Sequence, residues 1–79
     1  MKIQVLFFGA TANAVGERRI DISMADGSTA QTVFYQMKER FPKLGSHKLL
    51  YSLNQTYANG DEIIRDGDEL AIFTVVSGG

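Results

Sequence analysis

The chain has 79 residues, 44% hydrophobic and 22% charged, with a formal net charge of −1. That length suits one domain, spanning 1–79, and a near-neutral balance with lysines and arginines scattered along the chain argues against a nucleic-acid partner. No run approaches the roughly 20 apolar residues of a membrane span, and the first residues lack a signal-peptide core, so a cytoplasmic protein with no membrane contact is expected. The absence of cysteine excludes disulfides, thiolate metal sites and a cysteine nucleophile, and with His47 as the only histidine there is no His-based triad or multi-histidine metal centre.

From Lys2 to Phe8 the residues alternate, with Ile3, Val5 and Phe7 on one face and Gln4, Leu6 and Phe8 on the other. This predicts a strand ending at Gly9. Ala10 to Val15 has room for one helical turn, closed by Gly16 as a left-handed cap. Arg18 to Met24 alternates again, placing Ile20, Ile22 and Met24 together, and pairs antiparallel with the first strand. Asp26-Gly27 marks a turn. Ser28 and Gln31 fit a capping box, with Ser28 as N-cap. Ala30, Val33, Phe34, Met37 and Phe41 then recur at helical spacing as one core-facing stripe, and Pro42 ends the helix at Phe41.

His47 falls in the following loop, which predicts an exposed side chain. Lys48 to Asn54 reads as a third strand and Gln55 to Ala58 as a short fourth, turning at Asn59-Gly60. Ile63 and Ile64 are expected to plug the core beneath the Asp66-Gly67-Asp68 turn. The carboxylates between Asp61 and Glu69 lack the ligand spacing of a calcium loop, so solvated turn residues are expected and no metal site. Leu70 to Val76 forms the last strand. The order β-β-α-β-β-β describes an α+β fold in which one main helix covers one face of a mixed sheet.

Beyond that strand the chain ends in Ser77-Gly78-Gly79, a tail of about 75–79. Two glycines in series make a thin, adaptable thread, and the terminal carbonyl carbon is unhindered toward a nucleophile. A free α-carboxylate, with pKa near ~3.5, is ionised at neutral pH and a poor electrophile. Chemistry at this end therefore requires something else to activate it.

Val5-Leu6-Phe7-Phe8-Gly9, Asn54-Gln55, the stretch Asp66 to Phe73, and Val76-Ser77-Gly78-Gly79 resemble, in order and spacing, the small subunit of molybdopterin synthase, the MoaD family. The resemblance covers essentially the whole chain and implies a ubiquitin-like β-grasp fold. It also implies that a partner, an E1-like adenylating enzyme, uses ATP and magnesium to adenylate Gly79. Sulfur from a persulfide then replaces AMP to leave a thiocarboxylate. The tail inserts into the large subunit of a heterotetrameric synthase, where the sulfur passes to a pterin precursor. Gly79 carries the reacting group, Gly78 gives access, and the catalytic residues lie in the partners, so that this chain is not an enzyme on its own and binds no cofactor. One departure is visible: the family often carries prolines before the final residues, where this chain has Thr74-Val75.

Strand parity points to the partner surface. With Ile3, Val5 and Phe7 toward the helix, Leu6 and Phe8 face away, and Leu70 and Ile72 inward leave Ala71 and Phe73 outward. Phe8 and Phe73, joined by Leu6 and Tyr57, are expected to form an exposed apolar patch beside the tail. The resemblance assigns Phe8, Tyr57, Phe73, Val76 and Ser77 to partner binding. A thiamin-pathway sulfur carrier or a ubiquitin-related protein modifier would use the same terminal chemistry, and a passive β-grasp module would use none of it.

Overall fold

The computed structural model describes residues 1–75. A five-stranded mixed sheet forms the body: β1 (Lys2–Phe7), β2 (Arg19–Ser23), β3 (Leu49–Leu53), β4 (Thr56–Tyr57) and β5 (Glu69–Thr74), in the order β2-β1-β5-β3-β4. The central pair, β1 and β5, is parallel, with Phe7 opposite Ile72, and the other pairings are antiparallel. The long helix α2 (Ala30–Arg40) supplies the cover for one face.

The core follows the alternation of the strands. Ile3, Val5, Phe7, Ile22, Leu70 and Ile72 point to the covered face and are buried, meeting Ala30, Val33 and Met37 of α2. Full burial of a side chain of this size is worth about 1.5–3 kcal/mol, which is large for so short a chain. Phe34 stacks on Tyr51 at 4.4 Å between ring centroids, and Phe41 meets Phe7 edge-on at 5.8 Å. The apolar stripe of α2 is thus core packing from end to end. Pro42 ends the helix at Phe41, as expected.

The short helix α1 (Ala10–Val15) lies between β1 and β2 and is closed by Gly16 at φ 85, a left-handed conformation that glycine adopts without a Cβ clash. Val15 and Ala14 pack against the core beside it.

Four local expectations need correction. The N-cap of α2 is Thr29, whose Oγ1 accepts from Thr32 N at 3.3 Å; the Ser28 hydroxyl donates instead to Ala25 O, and Gln31 reaches Tyr35 Oη. The cause lies across the chain. Thr29 forms a bridge with Ile63, and Ile64 N donates to Ser28 O, which holds residues 28 and 29 extended and starts the helix one residue later. The same extended pairing sends Ile64 into the core and leaves Ile63 55% exposed, so only one of the two isoleucines is a plug. The first four strands are also shorter than expected by one residue at one or both ends, and the last begins one residue earlier, at Glu69. Finally, Pro42–Ser46 is a 3₁₀-helix rather than a plain loop, and its Leu44 is completely buried between α1 and α2.

Candidate functional site

The face of the sheet opposite α2 carries the expected patch. Register places Leu6 beside Ala71, Ala71 beside Ser52, and Ser52 beside Tyr57, forming one row across four strands. One step nearer the end of β5, Phe73 lies beside Leu50, and Phe8 continues the parity of β1 just past its last residue. Phe8 is held there by its own backbone: its N–H donates to Ile72 O at 3.2 Å. The patch therefore occupies the end of the sheet at which β5 finishes.

Exposure separates its members. Tyr57 is 74% exposed and Phe8 53%. Phe73 is half-buried, because the Tyr57 ring lies against it at 5.9 Å between centroids and an angle of 53°. Ala71 faces the outer side as expected yet is nearly buried, since a methyl group between Leu6 and Ser52 is overtopped by its neighbours. Leu50, at 39% exposure, belongs to the patch and was not foreseen. The signal was present: Leu49, Tyr51 and Leu53 face the helix, so the parity of β3 turns Leu50 outward.

Val75, 42% exposed, closes the sheet by donating its N–H to Lys48 O at 3.2 Å. Val76, Ser77, Gly78 and Gly79, the remaining expected site residues, lie outside the described residues.

The described residues offer little chemistry of their own. Among them no group of three His, Cys, Asp or Glu side chains is placed to hold a metal ion, and no helix is long and apolar enough to cross a membrane. The exposed His47 stands alone. Among the described residues two groups titrate away from their ordinary range, Tyr51 on the helix-covered face and Glu62 beside the start of α2. Glu62 is lowered, chiefly by the N–H of Asn59, which donates to its carboxylate at 2.9 Å. Burial first, and then the Glu62 charge, raise the Tyr51 phenol.

A small mixed sheet with a parallel central pair, one long helix across one face and an apolar patch on the other defines a β-grasp protein of the ubiquitin-like class. Solved structures agree on the fold: the archaeal modifier SAMP1 of Haloferax volcanii superposes with a TM-score of 0.87 at 24% identity, covering 100% of both chains. Subunit 1 of the molybdopterin-converting factor of Helicobacter pylori, solved in complex with subunit 2, gives 0.71 at 22% identity, again with 100% of both chains covered. A family profile, the ThiS family, matches residues 5–79. The chain is 30% identical to the molybdopterin synthase sulfur carrier subunit of Mycobacterium tuberculosis, covering 100% of this chain and 99% of that protein. It is 35% identical to the subunit of the same name in Escherichia coli, covering 98% and 99%. The chain belongs to the ThiS family, among the sulfur carriers of the MoaD type that its motifs resemble.

Proposed function

We propose that this protein is the sulfur-carrier small subunit of a cytoplasmic molybdopterin synthase. The observation that carries the reading is the apolar stripe of exposed Phe8, Tyr57 and Leu50 with half-buried Phe73, at the end of the sheet where β5 finishes. Apolar aromatic anchors of this kind dominate protein interfaces, and here they adjoin the one segment whose chemistry the sequence singles out. The family match runs through Gly79, and the named relatives are sulfur carrier subunits of that synthase over nearly their full length.

On this reading an adenylating partner uses ATP and magnesium to convert the Gly79 carboxylate to an acyl-adenylate with release of pyrophosphate, a mixed anhydride whose AMP is a good leaving group. A donor persulfide displaces AMP through its outer sulfur, and a thiol then cleaves the resulting acyl disulfide, leaving a thiocarboxylate and a disulfide. Gly78 lets the thread pass a narrow channel, and Val76 and Ser77 line its path into the large subunit, where the pterin precursor takes the sulfur. This chain supplies the carried group and the docking surface, while its partners supply the acids, bases and nucleotide site.

The test is intact-mass analysis after incubation with the adenylating enzyme, ATP, magnesium and a sulfur donor. The expected product is heavier by one oxygen-to-sulfur exchange, localised to the fragment that contains Gly79. Adding the large subunit and pterin precursor returns the original mass. Conjugates joined to other proteins through Gly79, with no sulfur in the pterin, would replace this reading with that of a protein modifier.

A further inference from the structure

The charged residues that are scattered along the chain are segregated in space. Arg19 lies opposite Leu6, and Arg18 O accepts from Phe7 N at 2.9 Å, which puts both arginines beside Phe8. Lys48 O accepts from Val75 N, Arg40 ends α2, and Lys43 lies in the 3₁₀-helix that packs on α1 and α2 at the same end. All five side chains are exposed. Among the described side chains only Glu17 and Glu39 oppose them there, a formal side-chain charge of +3. Lys38 sits between the ends, its ammonium turned back over the rings of Phe34 and Tyr35.

The other end is acidic. Asp66 accepts from Lys2 N at 2.8 Å, and Asp68 O accepts from Gln4 N at 2.9 Å. With Asp26 and the remaining carboxylates of the 61–69 stretch this end holds six anions against Lys2 and Arg65, a formal −4; Asp21 lies between the ends, opposite Gln4 and two residues from Arg19, and with Lys38 completes the chain's −1. Six-residue strands separate the ends by about 17 Å. That is roughly twice the Debye length of ~8 Å at physiological salt. A protein approaching the patch therefore meets the basic field before the acidic one can cancel it. Compensation of the α2 dipole accounts for Lys38 and Arg40 alone, because Arg18, Arg19, Lys43 and Lys48 lie outside that helix.

We infer that this basic end is an electrostatic rim around the apolar patch, fitted to a partner protein whose surface facing that rim is acidic. The inference rests on the proposed carrier role, in which the partner is the synthase large subunit. An acidic protein is favoured over nucleic acid because the rim is interrupted by Glu17, Glu39 and exposed apolar side chains, and the chain as a whole is slightly negative. Rim charges of this type act on the rate of encounter more than on the lifetime of the complex.

The test is the association rate of the full chain with the large subunit of the same organism, followed by stopped-flow fluorescence at about 20, 150 and 500 mM NaCl, a range that shortens the Debye length several-fold. The variant Arg18→Gln/Arg19→Gln/Lys48→Gln should associate about tenfold more slowly at the lowest salt, with dissociation changed less than about twofold, and should converge on the wild type at the highest. Lys2→Gln/Arg65→Gln, which removes the same sign of charge from the far end, should stay at or above the wild-type rate. Equal slowing by both variants, or a wild-type rate that does not fall with salt, overturns the rim and leaves the carrier role standing. Wild-type chain that fails to bind at any salt overturns the carrier role, and the rim's partner with it. Salt-sensitive self-association in sedimentation, abolished by the rim variant, would make the acidic end of a second copy the occupant instead. RNA retained at physiological salt by the wild type and not by the rim variant would overturn the protein partner altogether.

Discussion

Thr11 Oγ1 lies 2.9 Å from the carbonyl oxygen of Ile72, joining α1 to the last strand across 61 residues of sequence, and 2.7 Å from the carbonyl oxygen of Phe8. It is the buried polar side chain of the described core, and its single hydroxyl proton is shared between the two strands that carry the aromatic patch. Replacing Thr11 by valine keeps the shape and removes the donor. The expected cost is about 1–2 kcal/mol in urea unfolding, because both carbonyls keep a backbone partner and lose only this contact. Thr11→Ser, which retains the hydroxyl, should cost less. Valine as stable as the wild type would show that the hydroxyl bridge contributes nothing.

The start of α2 gives a second expectation. Thr29→Ala should destabilise the protein by about 1 kcal/mol, the usual worth of a cap, and Ser28→Ala by only a fraction of that. The reverse order would restore Ser28 as the cap and contradict the bridge between Thr29 and Ile63.

These two residues also show how far local pattern reaches. The alternation in β1 and β5 and the stripe on α2 made the sheet, its covered face and most of its core legible, because strand and helix periodicity follow directly from side-chain geometry. The same parity made Phe8, Tyr57 and Phe73 legible as a patch. What escaped was decided by distant partners. Ser28 and Thr29 are equivalent caps by sequence, and the choice between them is made by residues 62–64. Leu44 stands alone between Pro42 and Gly45 and has no period to betray that it seals the core. Ile63 and Ile64 read alike until pairing assigns them opposite sides. The segregation of charge requires the parallel β1–β5 pair, which joins segments far apart in sequence.

Glu62 supplies an expectation in pH. Its carboxylate takes N–H groups of Asn59 and Gly60, each at 2.9 Å, and its pKa in the folded protein is lowered. A lowered folded pKa means the folded state favours the ionised form, so the contribution is present above the ordinary glutamate value near ~4.3 and is lost as pH falls through the folded one. The stability difference between wild type and Glu62→Gln, measured by denaturant melts from neutral to acid pH, should therefore shrink toward low pH. A difference that is constant across that range would remove the assignment.

The aromatic patch separates binding from folding. Phe8→Arg should weaken association with the large subunit strongly and leave thermal unfolding nearly unchanged, since the ring is already exposed. Phe73→Arg should do both, weakening association and costing about 1 kcal/mol or more of stability, because Tyr57 covers part of the ring. Phe7→Arg should unfold the protein by burying a charge in the covered core. Equal destabilisation by all three would mean that the face assignment is wrong.

The last expectation concerns the residues that follow the sheet. Strand pairing in the described structure is complete with Val75 N donating to Lys48 O. Neither deletion of Gly79 nor addition of one alanine after it removes a hydrogen bond among the described residues, so the melting temperature should stay within about 2 °C of the wild type, less than the shift that 1 kcal/mol produces in so small a domain. Function should respond very differently. Adenylation requires a free and unhindered terminal carboxylate, and an added alanine places a Cβ next to the carboxyl carbon and moves the reacting group one residue along the thread. Both variants should fail to acquire sulfur in the intact-mass assay and fail to restore cofactor synthesis in cells lacking their own small subunit. Restoration by the extended chain would show that the terminus is not the reacting group, and would leave the patch and its basic rim as features of a binding module alone.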